Sequence, residues 1–216
     1  MIIKFLGHSC FLIKSDNGLS IMTDPYKSGA YGGALTYSQI TDVCDIVTLS
    51  HDHEDHAELN SLPTQPLVIK ADCRARGIDF DIIDSFHDDV QGKERGENRL
   101  ILFSLDDIRV CHLGDLGHVL SEEQVKEAGE IDILLIPVGG RFTIDPDQAT
   151  QVVEQLQPKI TIPMHFKTDK CGFPIENVDL FLEGKPNVKR SPTSEVVLKK
   201  EDLPKETTFL HIPHSN

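Results

Sequence analysis

The feature that most constrains this chain is the stretch His51-Asp52-His53-Glu54-Asp55-His56, which follows directly on the apolar-leaning run at residues 45–50. A short apolar run of that length reads as a strand, so three imidazoles and a carboxylate leave a strand end in H-x-H-x-D-H order. Imidazole nitrogen and carboxylate oxygen are the ligands that zinc and other borderline divalent ions take. Alternate spacing in an extended loop aims His51 and His53 at one ion and leaves Asp55 and His56 to face a second beside it. A solvated polar loop is the bland alternative. Chance gives this pattern in roughly a few per thousand chains of such composition, so the metal reading is preferred.

Further candidates lie at the ends of other predicted strands. Residues 2–6, 10–14 and 19–23 are β-favouring runs, the latter two joined by Asp16-Asn17-Gly18, and they predict an antiparallel meander. His8 falls in the link between the first two. Residues 27–36, rich in Gly, Ala, Ser and Tyr, form a loop of the kind that covers a site. Residues 57–62 are expected to form a short helix stopped near Pro63, followed by a strand at 67–70. Residues 78–85 alternate as a strand whose end presents His87, a third imidazole for the first ion. Runs 99–105 and 108–113, separated by Asp106-Asp107, have the spacing of a tight hairpin ending at Gly114-Asp115. A carboxylate at 115 can bridge two ions, each oxygen coordinating one.

His112 competes with His87 for the third position. Strand alternation sets residues 112 and 115 on opposite faces unless the chain bends at Gly114, which favours His87 and leaves His112 to face substrate or support a ligand. The choice between them stays open at this point. The apolar run 131–138 predicts a buried strand, Asp145-Pro146-Asp147-Gln148 a helix start, and residues 159–163 a strand that delivers His165 at its end. That strand-helix-strand order predicts an α/β layer. Lys167, just beyond, is a candidate for holding an anion. A short helix over 175–181 and strands over 195–198 and 207–211 complete the expected order.

The motif at 51–56, together with Thr23-Asp24-Pro25, His87, Gly114-Asp115 and His165 in the order in which they fall, resembles the signature of the metallo-β-lactamase superfamily. The resemblance covers the chain to about Phe166. It implies a four-layer αββα sandwich (an α/β, or α+β, fold) carrying one or two metals at the edge of paired sheets. Gly7-His8-Ser9, the run from His87-Asp88-Asp89 to Arg95-Gly96-Glu97-Asn98, and His112-Leu113-Gly114-Asp115 look most like small stand-alone hydrolases related to L-ascorbate 6-phosphate lactonase. The resemblance further implies that Asp24 buttresses the histidine loop from behind the ligands and that His8 faces the metals.

The 216 residues suit one domain spanning 1–216. A net charge of −14 disfavours nucleic acid or an anionic membrane as partner. Five cysteines without a C-x-x-C pair suggest reduced thiols rather than a disulfide framework. With no membrane-length apolar run and no cleavable leader pattern, a cytoplasmic location is expected.

The expected site therefore puts His51, His53 and His87 on one ion and Asp55, His56 and His165 on the other, with Asp115 between them. The ions are expected to be zinc, with manganese or iron as alternatives. The expected activity is hydrolysis by a metal-bound hydroxide of a small anionic ester, lactone or phosphate-bearing metabolite. Asp55 is expected to orient the water, His8 or His112 to protonate the leaving group, and Lys167 to bind the substrate. The rivals are an iron-dependent oxidoreductase on the same scaffold, a nuclease, disfavoured by the charge, and a non-catalytic metal-bearing binding protein.

Overall fold

The computed structural model describes residues 1–216. Two sheets carry the fold. The first contains β1 (Ile2–Gly7), β2 (Cys10–Lys14), β3 (Ser20–Thr23), β4 (Ile46–Thr48), β5 (Leu67–Ile69) and β13 (Glu195–Val197), in spatial order β13-β1-β2-β3-β4-β5. The second contains β6 (Cys73–Ala75), β7 (Ile78–Phe86), β8 (Glu97–Leu105), β9 (Ile108–His112), β10 (Ile133–Pro137), β11 (Ile160–Met164), β12 (Val188–Arg190) and β14 (Thr208–His211), in order β12-β14-β11-β10-β9-β8-β7-β6.

Strand alternation explains how the layers assemble. Along the first sheet, Ile3, Phe5, Phe11, Ile13, Ile21 and Ile46 join the core shared with the second sheet. Their neighbours Leu6, Cys10, Leu12, Met22 and Val47 point the other way and pack under the loops that cover the outer face. The second sheet is buried on both faces: Leu100, Ile101, Leu102 and Phe103 are each fully inaccessible. Its outer face is covered by helices, including α3 (Pro146–Leu156), which turns Val152, Val153 and Leu156 inward. A reciprocal cap holds the start of α3, where Asp145 accepts from the Gln148 N–H and Gln148 reaches back to the Asp145 N–H. The same device starts α2 (Glu122–Ala128) at Ser121. Two sheets backed in this way give the expected metallo-β-lactamase sandwich.

The departures from expectation are local. Residues 57–62 are irregular, with a turn at 60–61, and form no helix. Six residues before a proline do not outweigh the cost of nucleating a helix, and the Glu58 N–H is instead taken by the Pro25 carbonyl. The helix expected from 175 begins later, as α4 (Val178–Leu182), because the Asn177 side chain accepts from the Asp179 and Leu180 N–H groups. Strands β6 and β12 were not expected from the sequence. Both are short edge strands with mostly exposed side chains and no alternation to read. The loop over 27–36 contains a single irregular turn, α1 (Ala30–Gly33), in which Tyr31 and Gly32 take left-handed backbone angles. No helix is long and apolar enough to cross a membrane.

Candidate metal centre

Topology brings the candidate residues to one edge. Strands β3 and β4 run parallel, and β1 runs parallel to β3 because β2 is antiparallel to both. The end of β1, with His8 just beyond it, therefore lies on the same side as the end of β4 and the histidine loop. In the second sheet β9, β10 and β11 are parallel, and β7 shares their direction because β8 opposes both β7 and β9. His87, Asp115 and His165 thus leave their strands at the facing edge. Three non-glycine residues here, His8 (φ 55°), Asp24 (φ 37°) and His165 (φ 50°), sit in the left-handed region. Strain of that kind persists where surrounding structure fixes it and gathers at functional sites. Gly114 supplies the bend that lets Asp115 turn in: it has φ 54°, and a Cβ there would lie 2.4 Å from Asn98 Oδ1 and from Ser50 Cβ.

The side chains gather into two groups. The possible ligand atoms of His51, His53 and His87 lie within 4.8 Å of one another, and so do those of His8, Asp55, His56 and His165. The Asp115 carboxylate stands between them. Its Oδ2 is 3.1 Å from His87 Nε2, 3.3 Å from His165 Nε2 and 3.9 Å from His51 Nε2, while its Oδ1 is 3.2 Å from His56 Nε2. Asp115 is held by its own N–H, which donates to Asn98 Oδ1 at 2.9 Å. Asn98 in turn donates to Ser85 Oγ and the Leu113 carbonyl.

Asp24 fixes the imidazoles from behind. Its Oδ1 accepts the Ser50 N–H at 2.8 Å, and its Oδ2 accepts both the Ser50 hydroxyl and His56 Nδ1–H, the latter at 2.9 Å. Because the Ser50 hydroxyl proton is committed to Asp24, Ser50 Oγ must accept from His51 Nδ1, 2.9 Å away. One buried carboxylate therefore puts the Nδ1 proton on both His51 and His56 and frees both Nε2 lone pairs. Those Nε2 atoms, with Asp115 Oδ1 and His8 Nδ1, are buried and have no hydrogen-bond partner. Buried polar atoms left unpaired are costly. Neutral imidazole lone pairs converging on carboxylate oxygens are also the donor set that suits a divalent ion. The residues fit a metal.

With no ion counted, the titration behaviour of the protein groups shows how protons would meet the same charge. Burial raises the Asp115 and Asp55 carboxyls, yet the surrounding imidazoles outweigh it and hold both well below the usual range. Burial opposes charge on His56 and His87, but Asp115 overcomes it and raises both. His51 is pushed down to about 3 and His8 to about 4, chiefly by burial. Without an ion, protons on His56 and His87 offset the carboxylates, and a divalent ion bound there would take the place of those protons.

Some sequence expectations need correction here. His112 is fully buried, its Nε2 3.0 Å from the Ser9 carbonyl and its Nδ1 accepting the Gly114 N–H at 3.2 Å. Both nitrogens are thus engaged by the backbone, and the ring does not line the hollow but pins the Gly114 bend. Lys167 does not line the cleft; its ammonium donates to the Phe173 carbonyl at 2.8 Å. His8 Nε2 lies 3.0 Å from Asp55 Oδ2, and with its pKa pushed down to about 4, chiefly by burial, the ring is neutral and hydrogen-bonds the carboxylate through Nε2–H. It also stands close enough to join the second ligand group.

The centre opens into a hollow of ≈ 290 Å³ lined, besides the imidazoles and carboxylates, by Tyr31, Arg95, Phe142 and Phe173. None of these four was singled out in the sequence as a site residue, since each comes from a loop without periodicity. Two signals were available: the glycine-rich composition of 27–36, which carries Tyr31, and the run to Arg95-Gly96-Glu97-Asn98 on which the resemblance rests. The Tyr31 hydroxyl lies 3.3 Å from Asp55 Oδ1, and burial, with Asp55 second, raises its pKa so that it keeps its proton. A larger hollow of ≈ 510 Å³ beside α4 and β12 holds no cluster of ligating side chains, so the smaller one is the candidate site.

Comparison with known proteins gives a consistent picture. Residues 2–165 match the model of the β-lactamase superfamily domain. A protein of Carboxydothermus hydrogenoformans named as a UPF0173 metal-dependent hydrolase is 28% identical over 200 residues, covering 78% of this chain and 85% of that one. A Methanobrevibacter smithii protein of the same name is 29% identical over 201 residues, covering 78% and 82%. A crystal structure from Thermotoga maritima, named as a candidate zinc-dependent hydrolase of the metallo-β-lactamase superfamily, superposes with a TM-score of 0.80 at 34% identity over 99% of both chains.

Proposed function

The chain belongs to the metallo-β-lactamase superfamily as a metal-dependent hydrolase, and from that premise we propose that it uses two divalent ions, zinc foremost, to hydrolyse a small anionic ester, lactone or phosphate-bearing metabolite. The observation that carries this reading is the convergence of two imidazole groups on Asp115, with His51 Nε2 and His56 Nε2 buried there and without a hydrogen-bond partner. His51, His53 and His87 would hold one ion, and Asp55, His56 and His165 the other, with His8 at its border and Asp115 shared. Bound there, the ions supply a water activated near neutral pH and a Lewis acid for the bond to be cleaved.

The chain's own residues do the rest. Asp24, through Ser50, keeps His51 and His56 in one tautomer, which fixes both rings before substrate arrives. His8 restrains Asp55. Tyr31, protonated and within the hollow, can hydrogen-bond to charge developing on the leaving oxygen. The phenyl groups of Phe142 and Phe173 limit water in the hollow. A core common to both sheets supports treating residues 1–216 as one domain. A protein of net charge −14 repels an anion at long range, so an anionic substrate requires positive charge concentrated at the cleft itself.

The test is metal analysis of the purified protein, then hydrolysis of a panel of carboxylic esters, lactones and phosphoesters before and after chelation. Two equivalents of metal and chelator-sensitive turnover are expected, with turnover restored by added zinc. A protein that binds two zinc ions yet turns over nothing on the panel is instead the binding protein weighed from the sequence.

A further inference from the structure

Arg95 is the one cation that lines the hollow over the metal centre, and its surroundings differ from those of the other basic side chains nearby. Arg99 donates to the Ser50 carbonyl at 3.2 Å, Lys70 is bound to Asp52, Lys27 to Glu54 at 3.0 Å, and Lys167 to the Phe173 carbonyl. The Arg95 guanidinium has no hydrogen bond. Its one charged contact is its sequence neighbour Glu94, at 3.6 Å, and its side chain is 34% exposed. It also lines a second hollow of ≈ 330 Å³ that adjoins the first and shares His53 with it.

The backbone that carries this free guanidinium is tied down. The Asp88 carboxylate accepts the N–H groups of Val90 and Gly92 on Oδ1 and of Glu94 and Arg95 on Oδ2, all between 2.7 and 3.0 Å. Four N–H groups on one carboxylate hold the loop in a single shape. The His87 N–H donates to the Gly96 carbonyl at 3.0 Å, closing the loop directly beside a proposed ligand. A guanidinium with unspent donors on a fixed backbone is suited to grip a carboxylate, phosphate or phosphonate in two-pronged fashion.

The same hollow has an aromatic wall supplied by other loops. Phe173 lies edge-on to both Tyr31 and Phe142, with ring centroids 5.5 Å apart in each pair, and to His8 at 5.9 Å. A substrate consisting only of polar groups would leave that wall unused.

We propose that Arg95 is the specificity-determining residue of this hollow, and that its substrates pair an oxyanion, carried away from the bond to be cleaved, with an apolar or aromatic body that rests on Phe173. That this ligand is the substrate rests on the hydrolase reading; the pairing of charge and apolar surface does not. Apolar bodies are favoured by the area they bury against the wall, and the anion by hydrogen bonds to a charged donor.

The experiment therefore measures binding and turnover separately. Phenylphosphonate, methylphosphonate and inorganic phosphate are titrated by calorimetry into the zinc-loaded protein, its Arg95→Ala, Arg95→Lys and Phe173→Ala variants, with metal content measured for each. Phenylphosphonate is expected to bind more tightly than methylphosphonate by about tenfold. Arg95→Ala is expected to weaken phenylphosphonate by about ten- to hundredfold, with Arg95→Lys recovering only part of it. Phe173→Ala is expected to remove the phenyl preference while keeping a response to Arg95. Binding of phenylphosphonate as tight in Arg95→Ala as in wild type, equal affinity for the phenyl and methyl compounds, or no binding to wild type overturns the proposal. In parallel, the ratio of kcat/KM for 4-nitrophenyl hydrogen succinate over 4-nitrophenyl butyrate is expected to fall at least tenfold in Arg95→Ala. No turnover of either ester alongside the expected binding pattern would sink the hydrolase reading and leave the recognition site standing.

Discussion

Two buried aspartates, Asp115 and Asp132, mark opposite ends of the same parallel strands. Asp132 precedes β10, beside the start of β9. It accepts the Arg109 N–H at 2.9 Å and the ammonium groups of Lys159 at 2.7 Å and Lys200 at 2.6 Å. Every neighbour brings a proton to it, so its charge is answered within the chain. Asp115 follows β9 at the far edge. It is ringed by imidazoles, of which His51 and His56 leave Nε2 without a hydrogen-bond partner, and its Oδ1 accepts no hydrogen bond. A satisfied buried carboxylate contributes to the fold, whereas an unsatisfied one is retained for something that the chain does not supply.

The sharpest way to break this contrast is to remove each carboxylate in turn. Asp115→Ala is expected to lose most of the bound metal and, with it, the gap in melting temperature between metal-loaded and chelated protein. Asp132→Ala is expected to keep full metal content but to lose about 1–3 kcal/mol of stability, since it leaves the Arg109 N–H unpaired and both lysines without their acceptor. Metal analysis and urea melts with and without chelator distinguish the two. If Asp115→Ala retained two equivalents of metal, the contrast would fail at its root.

The same comparison sharpens at two histidines. His87→Ala is expected to impair zinc binding severely. His112→Ala is expected to affect zinc less, by about 10- to 100-fold, while costing about 2–4 kcal/mol through the cavity and the stranded Ser9 carbonyl and Gly114 N–H. Zinc titration and denaturant melts rank them, and stronger loss of zinc in His112→Ala would exchange their roles. A smaller effect is expected behind the ligands. Asp24→Asn keeps the shape but can donate toward Ser50 and His56, which upsets both tautomers, so zinc affinity should fall about 10- to 100-fold. Unchanged affinity would show that Ser50 alone suffices to orient His51.

The ease with which these residues were found differs for a physical reason. The histidine loop, His87, Asp115 and His165 were legible because each follows a strand whose apolar pattern marks its end, and parallel strands bring their ends to one edge. The preference for His87 over His112 rested on alternation without a bend at Gly114; the structure has that bend, so what separates the two residues is the contacts their ring nitrogens make. What alternation cannot show is the use of a ring nitrogen: both faces of the second sheet are buried, so His112 at the end of β9 looks equally well placed until its contacts to Ser9 and Gly114 are seen. Lys167 lies outside the lining of the hollow because nearness in sequence to His165 does not fix where a long side chain reaches, and its ammonium donates to the Phe173 carbonyl. Arg95 and the aromatic wall come from loops that meet only in the folded chain. Short edge strands such as β12 lack a buried face, so no pattern announces them.

Acid separates the two ends most finely. Burial pushes the Asp132 carboxyl up, but the hydrogen bonds from Lys159 and Lys200 outweigh it, so its folded pKa lies below its unfolded value of about 3.9. A group depressed in this way contributes stability that is fully present above the unfolded pKa and is lost as pH falls through the folded one. Removing its charge with Asp132→Asn should therefore cost most at neutral pH and progressively less as pH drops below about 4, where wild type loses the same advantage. Because the lysines are 44% exposed, solvent screens part of the effect, and the convergence should amount to about 1 kcal/mol or less. The measurement is urea unfolding of wild type and Asp132→Asn between pH 3 and 7, with chelator throughout so that proton competition for metal ligands does not enter. Curves that run parallel over the whole range would mean that Asp132 acts through shape rather than charge, and the contrast with Asp115 would then be one of packing.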